Sequence, residues 1–285
     1  KQKNNIKSKD KVMSKMPIMT MEKLKQVAPS IFTMEAHHSV SDRYTYISTA
    51  KILEIMMKNG WYPVNAFENK VRNEDKQNFQ KHLIVLQNFS SFLMEEDEVP
   101  QLILTSSHDK TACVELKLGV YRLICQNGLI LADSIMEAHK IKHTGFREDD
   151  VTNAINSIVN YLPSLEEKIK TYKKIELEPV EELAFAKAAA KIRFDTDIHE
   201  IDYKSMLEVR RSGDIGKDLW KCFNRVEEAC LRGGIKLKNL ATQKNFTSKE
   251  IQSIDSKLDI GQKLFGLADK VANLKLFSNQ QLIAA

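Results

Sequence analysis

The stretch that decides the fold is QLILTSSHDKTACVELKLGVYRLICQNGLI, residues 101–130. Its two apolar runs flank the polar turn SHDK, which is the pattern of two strands joined by a short connection. Tyr121–Cys125 predicts part of a central strand, and Asn127-Gly128 predicts a tight turn because both residues tolerate positive φ. Arg122 interrupts the apolar strand. It is either a phosphate contact in a groove or the partner of a buried acid such as Glu115.

The residues before this stretch predict a helix and two further antiparallel strands. Ser48 or Thr49 caps the helix, which ends at Asn59-Gly60. From Trp61 the apolar residues alternate toward a strand that ends near Val71. FQKHLIVLQNF, residues 79–89, predicts the next strand, with the loop NEDKQN between the two.

After residue 148 the apolar spacing changes to that of amphipathic helices. Helices are predicted over VTNAINSIVNYLPSLEEKIKTYKKIEL (151–177), PVEELAFAKAAAKIRF (179–194), GKDLWKCFNRVEEACLRGG (216–234) and TSKEIQSIDSKLDIGQKLFGLADKVANL (247–274). The last begins with a sequence resembling a capping box. The sequence therefore predicts an α+β protein. Residues 28–148 form a mixed core with an N-terminal antiparallel sheet and a β-hairpin, and residues 149–285 form a C-terminal helical region.

The first 27 residues carry eight lysines against two acids, which predicts a flexible basic leader. They contain no apolar segment of the signal-peptide type, and nowhere does an apolar run approach the ~20 residues of a membrane helix. We therefore expect a cytoplasmic protein with no membrane partner. The 4 cysteines form no CxxC pair, which favours buried free thiols in a reducing compartment.

No enzyme motif is present. The chain lacks GxxxxGK[ST], GxGxxG, GxSxG and HExxH, so we expect no catalytic residues, no cofactor and no metal. His37-His38 is predicted to lie on the surface. His139 and His143 are four residues apart, a spacing that suits two metal ligands on one helix face, but lysines surround them. His108 beside Asp109 is either an ordinary turn or a general base with its orienting carboxylate.

Basic residues accumulate on the strand segments instead. Antiparallel pairing brings such residues onto one face of a sheet, where aromatic rings can also stack with bases. The alternative is an ordinary solvated sheet face. The predicted nucleic-acid contacts are Lys70, Arg72, Lys81, His82, Arg122, Lys142, His143 and Arg147.

Several segments, in order, resemble a family of phage- and plasmid-like proteins with a domain of unknown function. They are KVRNEDKQNFQKHLIVL, VPQLILTSSHDKTACVELKLGVYRLICQNGLI, IKHTG and DLWKCFNRVEEACLRGG. The resemblance covers about residues 40–270. The chain departs slightly from the family pattern, with SSHDK in place of NSHDG and Glu228 near the usual Gln. This resemblance implies a protein of a mobile element and implies no reaction.

A second segment, YTYISTAKILEIMMKNGWYPVNAFENKVRN with FQKHLIVLQN, is similar to the opening of recombination-mediator-type single-strand annealing proteins. Tyr46-Ile47 and Asn59-Gly60-Trp61 carry this likeness over about fifty residues. It implies a cationic groove that holds the DNA backbone and leaves the bases exposed, with no catalytic residues.

The leading hypothesis is a single-stranded DNA binding and annealing protein of phage or plasmid recombination or replication, working as a homo-oligomeric ring or filament. The first alternative is a nucleic-acid-processing enzyme that holds a divalent metal with His82, His108, Asp109 and His143. The second is a regulatory or interaction protein of a mobile element that binds no DNA.

Overall fold

The computed structural model confirms the α+β class, with an antiparallel sheet first and a helical region after it. The structure describes residues 17–40, 45–89, 98–122, 127–129, 139–141 and 146–284. Among these residues, no helix combines the length and the apolar character that a membrane crossing requires.

The elements follow one another in two groups. The N-terminal group comprises α1 (Met21–Val27), α2 (Thr49–Lys58), β1 (Trp61–Glu68), β2 (His82–Asn88), β3 (Glu98–Ser106), β4 (Val114–Arg122), β5 (Asn127–Leu129) and β6 (His139–Ile141). The C-terminal group comprises α3 (Glu148–Lys174), α4 (Pro179–Arg193), β7 (His199–Ile201), α5 (Tyr203–Met206), α6 (Leu219–Arg232), β8 (Lys236–Asn239), β9 (Asn245–Thr247) and α7 (Ile254–Ala284).

The large sheet is an antiparallel meander in the order β1-β2-β3-β4-β5, with β6 pairing the other end of β4. The helix before it ends as predicted, because Gly60 has φ 82° and turns the chain into β1. Ser48 is its N-cap and accepts a hydrogen bond from the Lys51 backbone N–H at 3.2 Å. Thr49, the other predicted cap, is buried and bonds to the sheet.

Both faces of the sheet are covered, because successive side chains of a strand point to opposite faces. Ile84 of β2 belongs to the main hydrophobic core, together with residues from most helices of both groups. Its neighbour Leu83 belongs to a second cluster on the other face, with Ile103, and there Ile254 and Leu258 of α7 pack. This explains why β2 and β3 are buried along almost their whole length and carry the apolar runs Leu83–Leu86 and Leu102–Leu104.

The strand ends differ from the predictions around the hairpin. The first strand ends at Glu68 rather than Val71, and the second begins at His82 rather than Phe79. Between them the Asn69 N–H donates to the Lys81 carbonyl at 2.8 Å, and the chain then forms a short 3₁₀ turn at Glu74–Lys76. The local sequence alternates across this region, but hydrogen bonds to a partner strand exist for only part of it.

The opening stretch also folds differently from its prediction. Asn127-Gly128 lies in β5, which pairs with β4 so that Val120 opposes Leu129. β4 and β5 run antiparallel, and residues 123–126 between them lie outside the described part. The suggested partnership of Arg122 with Glu115 is wrong. Both residues lie in β4, seven positions apart, so their Cα atoms are about 23 Å from each other.

The helix α6 joins the two groups through buried polar bonds. The Trp220 indole N–H donates to Glu98 Oε1 at 2.8 Å, and Lys173 donates to Glu98 Oε2 at 2.9 Å. Arg225 pairs with Glu182 and donates to two backbone carbonyls. Three polar side chains of the segment DLWKCFNRVEEACLRGG, those of Trp220, Arg225 and Glu228, therefore bond inside the protein and stabilise the architecture.

A three-stranded sheet, in the order β7-β8-β9, lies within the predicted helical region. It corrects the predicted start of the last helix at Thr247, which lies in β9. Gly234 N–H donates to the Ser248 carbonyl, and Ser248 N–H donates to the Ile235 carbonyl. Because these bonds occupy the backbone of the expected first turn, the helix begins only at Ile254.

Candidate functional site

Three segments meet at one end of the large sheet and bring several polar side chains together. The His37 N–H donates to the His108 carbonyl at 2.8 Å, and the His108 N–H donates to the Phe79 carbonyl at 2.9 Å. These bonds join the segment before α2 to the β3–β4 turn and to the β1–β2 connection. We call His37, His38, Asp75, His82 and His108 the histidine cluster.

The inner part of the histidine cluster is buried and shares one hydroxyl. Thr49 Oγ1 lies 3.0 Å from His82 Nε2 and 3.5 Å from His108 Nε2. His82 Nδ1 lies 3.2 Å from the Gln80 carbonyl, which can only accept, so in the neutral ring Nδ1 donates and Nε2 accepts from Thr49. Burial, reinforced by the neighbouring His108, lowers the pKa of His82 to about 3. This imidazole is therefore neutral at physiological pH.

Asp109 is held by its own turn and by a lysine. Thr111 donates to Asp109 Oδ1 from its backbone N–H at 3.1 Å and from its hydroxyl at 2.5 Å. Lys76 Nζ lies 3.4 Å from Asp109 Oδ2. Burial opposes ionisation, but the hydrogen bonds from Thr111 and Ser107 and the Lys76 charge together hold the pKa of Asp109 below its usual value. Asp109 therefore acts as a structural carboxylate of the turn.

The predicted metal set of His82, His108, Asp109 and His143 does not assemble among the described residues. His82 bonds to Thr49 and Gln80, whereas Asp109 bonds to Thr111 and Lys76. His143 lies outside the described residues. A different group forms at the outer part of the histidine cluster.

This outer group contains His37, His38 and Asp75. His37 is buried, which corrects the prediction that the His37-His38 pair lies on the surface, whereas His38 is exposed. Asp75 Oδ2 lies 3.1 Å from His37 Nε2 and 3.6 Å from His38 Nε2. Sequence reasoning missed this group because Asp75 is 38 residues from His37 and is brought there by the β1–β2 connection.

The predicted nucleic-acid contacts separate into distinct environments. Lys70, Arg72 and Arg147 are exposed. Lys81 is 12% exposed and pairs with Asp255 of α7, so it anchors that helix against the sheet. His82 is completely buried, so its prediction as a nucleic-acid contact is wrong, because the ring offers no surface to a phosphate. The Arg122 side chain, Lys142 and His143 lie outside what the structure describes.

A basic groove of about 1030 Å³ lies on the small sheet β7-β8-β9. We call it the lysine groove. Its lining includes four lysines, two acids and two aromatic rings, and Asp202 is occupied as the N-cap of α5. The lysines and aromatic residues are Lys187, Lys204, Lys236, Lys238, Tyr203 and Phe246.

One aromatic ring of the lysine groove, Phe246, is exposed, whereas Tyr203 is partly buried. Lys187 Nζ lies 5.7 Å from the centre of the Tyr203 ring, and Phe246 is 43% exposed. Sequence reasoning missed this groove because it predicted only helices after residue 148, the last of them starting at Thr247 of β9. The alternation of Lys236, Leu237 and Lys238 was the available signal, since it places two lysines on one side of a strand.

Comparison with known proteins places the chain in a family. The model of the family described as "Domain of unknown function (DUF932)" matches residues 36–258. The chain belongs to this family. The match spans the histidine cluster and the lysine groove, and it confirms the family resemblance.

Two relatives come from Escherichia coli (strain K12). The UPF0380 proteins YafZ and YfjQ are each 30% identical to this chain over 251 residues, which is 88% of this chain and 90% of each relative. No solved structure matches the chain.

Proposed function

We propose that the chain binds single-stranded DNA and promotes strand annealing as a homo-oligomer, with the lysine groove as the main strand-binding surface. The observation that carries this proposal is the combination of four lysines, the exposed ring of Phe246 and the partly buried ring of Tyr203 in one groove. Lysines neutralise backbone phosphates, and aromatic rings stack with bases of any sequence. Such a surface needs no catalytic residues.

The lysine groove replaces the large sheet as the proposed binding surface. In the described part of the chain, helices pack on one face of that sheet, and Ile254 and Leu258 of α7 pack on the other. A stacking platform requires an open face, so we propose the lysine groove in preference to the packed parts of the strand segments. Lys70 and Arg72 remain accessible in the β1–β2 connection and are proposed as additional phosphate contacts.

The homo-oligomer is supported by apolar residues near the end of α7. Leu274 is 68% exposed and Phe277 is 60% exposed, and their spacing of three places them on one face of the helix. Side chains of this size favour burial, and a second copy of the chain would provide it.

The first test is the fluorescence anisotropy of a labelled strand of about 30 nucleotides, titrated with protein at several salt concentrations. We expect salt-sensitive binding. In the double variant Lys187→Ala with Lys238→Ala, the slope of log affinity against log salt falls by about 1.4, since each lost contact to a single strand contributes about 0.7. Lys25→Ala with Lys174→Ala is the matched control, because it removes two exposed lysines outside the groove.

The stacking contribution is tested separately. Phe246→Ala leaves the net charge unchanged, so we expect weaker binding by roughly tenfold with an unaltered salt slope. Lys70→Ala with Arg72→Ala reports on the β1–β2 connection in the same assay. An unchanged affinity in all three groove and connection variants contradicts the proposed surface.

Annealing and assembly need their own measurements. Adding the complementary strand to the protein–DNA complex should accelerate duplex formation over the rate in buffer. Light scattering should give a mass above the 32.6 kDa of one chain. Binding without acceleration would leave a single-strand binding protein and refute the annealing part.

A further inference from the structure

We propose that His37, His38 and Asp75 form a binding site for a divalent first-row transition metal ion, with Zn²⁺ as the best-fitting ion. The inference goes beyond DNA binding and does not depend on it. One nitrogen from each ring and one carboxylate oxygen all lie within 4.8 Å of one another.

The distances suit direct coordination. Around a tetrahedral ion with bonds of about 2.0–2.1 Å, neighbouring ligand atoms are about 3.3 Å apart. Asp75 Oδ2 lies 3.1 Å from His37 Nε2 and 3.6 Å from His38 Nε2, on either side of that separation. The ligand nitrogens of the two rings lie within 4.8 Å of each other, so rotation of the exposed His38 ring completes the proposed coordination.

One ligand is rigid. The His37 ring is 2% exposed and packs edge-on against Phe79, with ring centres 5.0 Å apart. Ser39 Oγ lies 2.8 Å from His37 Nδ1, where it can accept the N–H that the ring carries when Nε2 binds an ion. The Ser39 backbone N–H also faces Nδ1, at 3.2 Å. In the free site this contact favours the tautomer with its proton on Nε2, directed at Asp75.

The other two ligands face solvent. The His38 and Asp75 side chains are 74% and 55% exposed. An ion held by these three residues therefore keeps positions open to water or to an anionic ligand. This arrangement differs from structural zinc sites, which are closed by four protein ligands.

The donor set selects the class of ion. Two imidazoles and one carboxylate suit Zn²⁺ and its first-row neighbours, whereas Mg²⁺ and Ca²⁺ prefer all-oxygen sites. The nearby Lys76 pairs with Asp109 at 3.4 Å, and Asp75 supplies the carboxylate of the group. The simpler alternative is a His–Asp hydrogen-bonded pair that binds no ion.

Zinc titration of the full chain distinguishes a metal-binding site from a His–Asp pair that binds no ion. After dialysis against a chelator, the protein competes with a chromophoric chelator for Zn²⁺, and Mg²⁺ serves as the ion that should not bind. We expect one equivalent of Zn²⁺ per chain and a rise in Tm on binding. Co²⁺ should give visible absorption of a site with nitrogen and oxygen ligands.

The variants are chosen at the exposed ligands, so that folding is preserved. His38→Ala and Asp75→Asn should each weaken Zn²⁺ binding at least tenfold and abolish the rise in Tm. His199→Gln and Asp197→Asn are matched controls on other parts of the chain and should leave both unchanged. Absence of stoichiometric binding, or binding that neither ligand variant weakens, overturns the site. Because no nucleic acid is present, that result leaves the DNA-binding proposal standing.

Discussion

Replacing His82 tests how the buried part of the histidine cluster contributes to stability. In the folded chain the pKa of His82 is lowered to about 3, whereas a histidine in an unfolded chain titrates near 6.5. At pH values between these two pKa values, the unfolded chain binds a proton at His82 and the folded chain does not. The contribution of His82 to the free energy of unfolding is therefore complete above pH 6.5 and is lost as the pH falls toward 3.

The magnitude follows from the two pKa values. Between pH 7.5 and pH 4.5 the linkage amounts to about 2.7 kcal/mol. If the pKa of His82 in the folded chain were one unit higher, the change in the free energy of unfolding would still be about 2.5 kcal/mol, because pH 4.5 lies above that pKa too. Asp109 and Glu115, whose pKa values are lowered, contribute mainly below this range.

The assay is urea unfolding at four pH values about one unit apart, 7.5, 6.5, 5.5 and 4.5. Each step can change the free energy of unfolding by up to about 1.4 kcal/mol for one titrating group. His82→Gln keeps a polar group near Thr49 and removes the titrating ring. The variant is less stable at neutral pH, but its unfolding free energy should fall by about 2.7 kcal/mol less than that of the parent chain over this range. His199→Gln is the control, since that ring is partly exposed. Parallel pH curves for the parent and His82→Gln would refute the reasoning.

Three further substitutions test the fold through the midpoint of chemical denaturation. Trp220→Phe removes the indole N–H that donates to Glu98 and should lower the free energy of unfolding by about 1.5–3 kcal/mol. A midpoint equal to that of the parent chain would show that this hydrogen bond does not stabilise the fold. Gly233→Ala should cost at least about 1–2 kcal/mol, because φ is 83° and a Cβ would lie 2.4 Å from the Ser248 carbonyl oxygen. Ile103→Ala should cost about 2–5 kcal/mol and Ile103→Val about 0.5–1.5 kcal/mol, and equal costs would contradict close packing beneath α7.

Local patterns were sufficient for most of the elements. The cap at Ser48, the turn at Gly60, and helices α3, α4 and α6 follow from capping residues, backbone freedom and apolar spacing. These signals act over a few residues, so a sequence contains them directly. The predicted start of the last helix was wrong, because Ser248 in its expected first turn forms backbone hydrogen bonds with Gly234 and Ile235 instead.

The functional surfaces were less accessible to sequence reasoning. Lys70 and Arg72 are exposed but lie beyond the end of the first strand, and Lys81 pairs with Asp255, 174 residues away. His82 lies on the same face of β2 as Ile84, where Thr49 of α2 contacts its ring and burial is complete. Burial of a strand face depends on a distant helix, and no local pattern encodes that contact.

By itself the sequence determined the α+β class, the order of sheet and helices, and the family, because apolar periodicity and ordered motifs are properties of the chain alone. The tertiary structure alone decided which polar residues meet. It brought Asp75 to His37 and His38, and it placed the lysines of β8 in one groove with Tyr203. The physical reason is that a site requires side chains within a few ångströms, and chain reversals set those distances between residues far apart in sequence.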